Sequence, residues 1–595
     1  MSDRFFASPA ITAEHRPDDT VVLSSRQPLE PHPPTVLHAF RAGSIAHPDR
    51  TLVAEPADGG WNVCTWRHAR TRVDRIAQGL LDRGVAGRPI LILSRNSISN
   101  LLLTLAAYTI GSPVVPTSVA YSLQSTDHAK LRAIAQTCEP AAVFAEDANY
   151  AAAVRAIGAE SVLIGSAEAG CIPLADIEAE PTMAVNRAFA GVGAETTAKI
   201  MFTSGSTGTP KGVINTHRML AANQQQMRQV WPFLTTEPPV LLDWLPWSHT
   251  FGGNHNVGMV LVNHGSLWID TGRPTPDLIA RTIDNLADVQ PTVYFNVPAG
   301  YAALVPILER DPAAAKLFFA HLRIAFFAAA ALPQELWDRL ESLAAQHGSS
   351  IRMTTSWGMT ETAPAATTTH FSVSRSDSIG VPLPGVEAKL LPVGAKYELL
   401  VRGPNVTPGF YRRPDLYTDS FDAEGFLRTG DLVSMVDPAE PDQGLLFGGR
   451  IAENFKLSTG TFVNVGTLRP KLLSACAGLL QDAVICGQDG EFVAALAWTH
   501  PDHAGRVGAD GVPDHNLRAE LADGLARLAA GSGSSQRVER LLLLTGPPEL
   551  DAGEITDKGY INQRAVRENR AHLVAEVCAA IPSERTICRE ASTAR

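Results

Sequence analysis

Apolar residues recur at helical spacing between Trp66 and Leu81, at Val73, Ile76, Ala77, Leu80 and Leu81, and Gly84 closes the run. The short apolar stretch Ile90 to Leu93 follows and reads as a buried strand. The same order, helix then strand, returns at 101–108 with Val114 and Val115, at 129–137 with 141–144, and at 278–286 with 292–295. It predicts parallel sheets covered by helices. Upstream of about Pro34, proline and polar residues ending in QPLEPHPP predict an extended arm lying over a surface. Beyond Tyr397 the strand-like YELLVRG, a proline and glycine turn and EGFLRTGDL change the character of the chain. A boundary is expected at Gly449, giving domains 1–449 and 450–595, the second long enough for one small α/β domain.

Composition narrows the function classes. At 595 residues with 45% hydrophobic and 19% charged positions, the chain exceeds one ordinary core. The 61 acidic against 50 basic residues leave a net charge of -11, which argues against a nucleic-acid or anionic-membrane surface. Seven scattered cysteines with no CxxC spacing fit reduced thiols and a cytoplasmic protein. The N-terminus has early acidic residues and no apolar h-region, so no secretory signal is read there. The uncharged stretch 101–119 is broken by Gly111, Ser112, Pro113 and Pro116, and reads as helix, turn and strand rather than a membrane span.

The strongest chemical signal is Ile200 to Gly212, IMFTSGSTGTPKG, an apolar strand end entering a loop of hydroxyl and glycine residues. Glycines let backbone N–H groups approach phosphate oxygens, hydroxyls add donors, and Lys211 supplies positive charge. Thr203, Ser204, Gly205, Ser206, Thr207, Gly208 and Lys211 therefore form a candidate phosphate cradle. Its spacing departs from the Walker pattern, because a proline precedes the lysine and a glycine follows it.

That segment resembles the signature of adenylate-forming enzymes, the superfamily of acyl-CoA synthetases, luciferases and peptide-synthetase adenylation domains. Four further segments resemble its signatures in order along the chain: Ser356 to Glu361 (SWGMTE), Arg428 to Leu432 (RTGDL), Gly449-Arg450, and Gly553 to Lys558 (GEITDK). The resemblance implies an α/β fold with a large N-terminal domain of parallel-rich sheets and helices plus a β-barrel-like subdomain, followed by a small, mobile C-terminal α+β domain. It also implies ATP and Mg²⁺, and the branch resemblance given below adds CoA and an aromatic carboxylic acid as partner substrate. It leaves a homodimer open.

The residues fit those roles chemically. Glu361 offers a carboxylate for Mg²⁺, Thr360 a hydroxyl for a phosphate, and Thr207 a second oxygen for the metal. Trp357 can stack on a purine, Asp431 can accept from both ribose hydroxyls, and Arg450 would hold ribose and phosphate. By the resemblance Lys558 is the catalytic lysine, whose ammonium would offset the charge that builds when a carboxylate attacks the α-phosphate. Lys456 matches a second lysine of the family. Asp243 to His255 (DWLPWSHTFGGNH) resembles the LPxxH element beside the acyl pocket, with His249 gating or polarising the acyl site. FAAAAL at 327–332 stands where many members carry SGGAPL.

The hinge run Gly449 to Phe462 departs from the usual pattern, since Ala452 replaces a charged hinge residue and Gly460 sits one position late. With LPWSHTFGGNHN, AYSLQSTDHAKLR and GEITDKGYINQRAV, it looks like bacterial feruloyl-CoA synthases. That branch implies a hydroxycinnamate, a first step forming an acyl-adenylate, and a second in which the Gly460 segment meets CoA. Ligation of a fatty or benzoate-type acid, luciferase-like oxygenation, and a non-catalytic nucleotide-binding relative remain as alternatives.

Overall fold

The computed structural model describes residues 5–158, 161–203, 210–330, 332–373, 375–476, 478–556 and 559–589, and the backbone of residue 204. The expected alternation is present. Helix Trp66–Asp82 starts where the Thr65 side chain accepts from the backbone N–H of His68, buries Val73, Ile76, Ala77 and Leu80, and leads to strand Ile90–Leu93. Helices Ile98–Thr109 and Ala129–Cys138 likewise precede strands Val114–Pro116 and Ala142–Ala145. These strands align in parallel, with Val162–Gly165 at one edge and the antiparallel hairpin Thr197–Ser204 and Pro210–Thr216 at the other, in a six-stranded sheet.

A four-stranded sheet, Val240–Asp243, Ser266–Ile269, Thr51–Ala57 and Gly60–Thr65, lies within the same core. An 11-stranded sheet completes this part of the molecule. Its Val293–Asn296, Ile324–Phe327 and Arg352–Gly358 strands are parallel, and the rest is antiparallel. The β-barrel-like region expected from the sequence is this antiparallel run, from Ala365–Thr368 through Leu445–Arg450.

The N-terminal segment corrects the expectation of a surface arm. Ile11–His15 and Val21–Ser25 form a hairpin, and the second strand pairs with Glu387–Val393 at the edge of the 11-stranded sheet. Phe6, Ile11, Val21 and Leu23 enter the main hydrophobic core. Prolines flank these strands without interrupting them, so the local proline signal masked an apolar face that finds a partner more than 360 residues away in sequence.

Beyond Arg450 the chain builds a small hairpin, Phe455–Lys456 with Phe462–Val463, and a separate four-stranded sheet of Leu480–Cys486, Ala494–Thr499, Arg540–Leu543 and Thr586–Cys588. This smaller C-terminal domain has its own apolar clusters, around Leu472, Leu521 and Leu541 and around Leu542 and Val566. All seven cysteines are free thiols. No helix among the described residues is long and apolar enough to cross a membrane.

Candidate functional site

Parallel strands Val240–Asp243, Val293–Asn296 and Arg352–Gly358 end in Asp243, Asn296 and the Trp357 region, and open α/β sheets bind ligands beyond such carboxyl ends. In the hairpin beside them Thr203 pairs with Lys211 across the register, and the Lys211 Nζ lies 5.7 Å from the Phe410 ring centroid. The expected cradle residues Gly205, Ser206, Thr207 and Gly208, and the Ser204 side chain, lie outside the described residues.

The turn Thr360–Thr362 is tied to that hairpin by two bridges. The Asn215 Nδ2 donates to the Thr360 carbonyl at 3.1 Å. Thr407 donates its N–H to the Glu361 carbonyl at 2.8 Å and its hydroxyl to the Ile214 carbonyl at 2.7 Å. Glu361 is half-buried on this fixed turn. Mg²⁺ keeps several waters and takes one or two carboxylates plus substrate phosphates, so a single glutamate can suit it, although no cluster of three acidic, His or Cys groups exists among the described residues.

Trp357, Asp431 and Arg450 meet. The Trp357 indole Nε1 donates to Asp431 Oδ2 at 2.9 Å, and the Arg450 Nε lies 3.4 Å from Oδ1. Strand pairing places Asp431 directly opposite Arg450. Burial raises the Asp431 carboxyl above its ordinary range, with the Arg450 charge opposing the rise. Oδ1 has no hydrogen-bond donor among the described residues, so it retains acceptor capacity for a ligand hydroxyl. Trp357 itself is 7% exposed, with its ring packed into the main core.

The segment after Asp243 folds into a tight turn and then a π-helix, Phe251–Asn256, a form that is rare and concentrates at functional sites. Gly252 and Gly253 permit it: a Cβ at Gly252 would lie 2.5 Å from the Leu245 carbonyl oxygen, and one at Gly253 2.1 Å from that of Trp247. His249 sits half-buried in the turn, donating its N–H to Pro246 and accepting from Gly253. The Asn254 Nδ2 donates to Asn215 Oδ1 at 2.8 Å and to Thr250 Oγ1 at 2.9 Å. Asn215 thus holds both the π-helical segment and the Thr360 turn.

Sequence reasoning missed Lys199. It lies in strand Thr197–Ser204, is 5% exposed, and donates from Nζ to the Gly253 carbonyl at 2.7 Å. Burial lowers its ammonium to about 7. Asp243 and His255 were quoted only as the ends of a motif, yet both are fully buried, and burial moves them to about 7 and about 4 respectively. The one sequence signal was a lysine among apolar neighbours in TTAKIMF.

Lys456 and Gly460 lie on the Phe455–Lys456 and Phe462–Val463 hairpin, where Gly460 has φ +77° and its N–H meets the Leu457 carbonyl. No hydrogen bond or ion pair among the described residues joins their side chains to the Trp357 group. Ala452 occupies a short 3₁₀ turn, Ile451–Glu453, directly after Arg450. Lys558 lies outside the described residues. Nearby, Asp551 Oδ2 accepts from the Thr126 N–H and hydroxyl at 3.0 Å each, and Lys130 Nζ donates to the Leu550 carbonyl at 2.8 Å.

The family model for AMP-binding enzymes matches residues 40–411, a span holding the hairpin, the Thr360 turn and the acid-side segment. The chain belongs to this family. Among curated AMP-binding relatives, a long-chain-fatty-acid–CoA ligase of Mycobacterium tuberculosis is 24% identical, covering 88% of this chain and 94% of its own length. An anthranilate–CoA ligase of Pseudomonas aeruginosa is 30% identical over 39% of this chain and 43% of its own. Among solved structures, the A domain of a carboxylic acid reductase from Segniliparus rugosus, in complex with AMP and a co-purified carboxylic acid, has TM-score 0.71 at 20% identity, covering 91% of this chain and 93% of that one. ATP-bound MatB from Rhodopseudomonas palustris has TM-score 0.66 at 21% identity, covering 90% and 99%. As an AMP-binding enzyme whose curated relatives are CoA ligases, the protein is an enzyme of the acid–thiol ligase type.

Proposed function

We propose that this AMP-binding enzyme joins an aromatic carboxylic acid, a hydroxycinnamate such as ferulate, to CoA through an acyl-adenylate. The carrying observation is the Asn215 amide, which bonds both the Thr360 turn and Asn254, and so supports a reading in which these two segments act on ATP and the acid in one frame. The ferulate branch rests on the resemblance of LPWSHTFGGNHN, the 449–462 run and GEITDKGYINQRAV.

In the first half-reaction a carboxylate oxygen bonds to the α-phosphorus of ATP and the bond to pyrophosphate breaks. The 203–211 loop and Lys211 hold the phosphates, Asp431 accepts from the ribose hydroxyls with Arg450 beside it, and Trp357 borders the purine. A Mg²⁺ held by Glu361 and Thr207 would neutralise phosphate charge when bound. Lys558 offsets the charge on the attacked phosphoryl group, and Lys456 is a second lysine toward the phosphate. In the second half-reaction the CoA thiolate bonds to the acyl carbon, the acyl–oxygen bond breaks, and AMP leaves. For this, domain 450–595 turns about Ala452, withdraws Lys558 and brings the Gly460 segment to CoA, while His249 lies beside the thiol entry.

AMP and thioester formation from ATP, Mg²⁺ and CoA, measured with ferulate beside a fatty acid and benzoate, tests the reading. Preference for ferulate is expected. Turnover with the fatty acid or benzoate alone would discard the hydroxycinnamate and keep the ligase, and no acid-dependent AMP from folded protein would discard both.

A further inference from the structure

The π-helical segment carries a buried polar atom that the protein leaves unpaired inside an aromatic cluster. His255 is 1% exposed, and its ring lies 5.1 Å from Phe295, 5.5 Å from Phe326 and 5.9 Å from Phe251 between centroids. The phenylalanines also contact one another at 5.2 to 5.9 Å. His255 Nδ1 meets Asn256 Oδ1 at 3.0 Å, and Asn256 Nδ2 donates to Asp243 Oδ2 at 2.9 Å. With Asp243 ionised, its carboxylate can only accept from the amide, so the amide oxygen faces His255 and the proton belongs on Nδ1. Nε2 is left as an acceptor with no partner among the described residues.

An unmet acceptor in an apolar site is costly to bury, and a bound donor would recover that cost. Trp247 Nε1 and Asn254 Oδ1 are also buried with no hydrogen-bond partner among the described residues, so unmet polar atoms gather along the segment proposed above for the acid. Phe251 is half-buried whereas Phe295, Phe326 and His255 are buried, so Phe251 is the most exposed ring of the cluster.

We propose that His255 Nε2 accepts a hydrogen bond from the ring hydroxyl of a phenolic acid substrate, with Phe251, Phe295 and Phe326 as the apolar walls for its ring. The inference rests on the aromatic-acid reading above and adds a residue that selects among aromatic acids. A site built to bond a hydroxyl discriminates against an analogue that lacks it far more strongly than an apolar pocket discriminates by size.

The test compares kcat/KM for 4-hydroxycinnamate, cinnamate and 4-methoxycinnamate. The wild-type enzyme is expected to favour the hydroxyl compound by about tenfold or more, the net worth of one buried hydrogen bond. His255→Phe, checked for folding by its melting transition, should bring the three acids within about threefold while retaining cinnamate turnover. His255→Gln, whose amide oxygen can accept, should restore part of the preference. Equal use of the three acids by wild type overturns the proposal even if no variant folds. An undiminished hydroxyl preference in folded His255→Phe overturns it too. Turnover of fatty acids alone would overturn the aromatic-acid reading together with this inference, whereas equal turnover of the aromatic acids overturns only this inference.

Discussion

The Trp357 indole donates to the Asp431 carboxylate at 2.9 Å across 74 residues of sequence. That bond turns two separate signatures into one element, because the carboxylate oxygen facing Arg450 is the one left with spare acceptor capacity. Trp357 therefore orients Asp431.

Asp431→Asn should keep most of the packing and weaken nucleotide binding. The amide can still meet the indole with its oxygen, but it then turns an NH₂ group toward Arg450 and the ribose. We expect the KM for ATP to rise about tenfold, equivalent to one charge-assisted hydrogen bond, with little change in the acid KM. Initial-rate kinetics with each substrate varied decides this, and an unchanged ATP KM would remove Asp431 from the site.

Lys199 predicts a pH dependence of stability. Its folded value, about 7, lies below the ordinary lysine value of 10.5, so the folded chain binds fewer protons than the unfolded chain between those limits. Its contribution is fully present above 10.5 and is lost as pH falls through 7. Relative to Lys199→Met, wild type should gain stability on going from pH 7 to 9, by at most about 1.4 kcal/mol per pH unit for one proton. Urea unfolding of both proteins at several pH values measures the slope, and parallel profiles would show that Lys199 stays charged in the fold.

Lys558→Ala should suppress acid-dependent pyrophosphate release by roughly 10²-fold or more, the scale of losing one transition-state charge contact. Thioester formation from preformed adenylate should be largely spared. Equal loss of both half-reactions would remove the division of labour between the two domain positions.

Ala329 holds φ +75°, a left-handed backbone that costs an L-residue roughly 1 kcal/mol and glycine almost nothing. Ala329→Gly should therefore leave stability within about 0.5 kcal/mol of wild type or raise it, against the usual cost of adding a glycine. A melting curve showing a loss above 1 kcal/mol would mean that the alanine methyl packs usefully against its neighbours.

The helix-then-strand units were readable because each is a local pattern: Trp66 to Leu93 carries its own cap, apolar stripe and terminating glycine. The signature segments around Thr203, Thr360-Glu361, Asp431 and Arg450 stood out because short segments carry their chemistry in composition, and the meeting of Trp357 with Asp431 and Arg450 came only with the fold. The N-terminal hairpin was not, because its apolar face acquires meaning only beside Glu387–Val393.

By itself the sequence determined the alternating α/β order and the signatures of the AMP-binding family, since these follow from period, spacing and side-chain chemistry. Only the tertiary structure decided that Lys199 reaches Gly253, that Asn215 spans Asn254 and Thr360, and that His255 keeps an unpaired nitrogen among three phenylalanines. The physical reason is that hydrogen-bond satisfaction and desolvation belong to neighbours in space. A lysine or histidine in the sequence carries no sign of the partners that burial will give it or deny it.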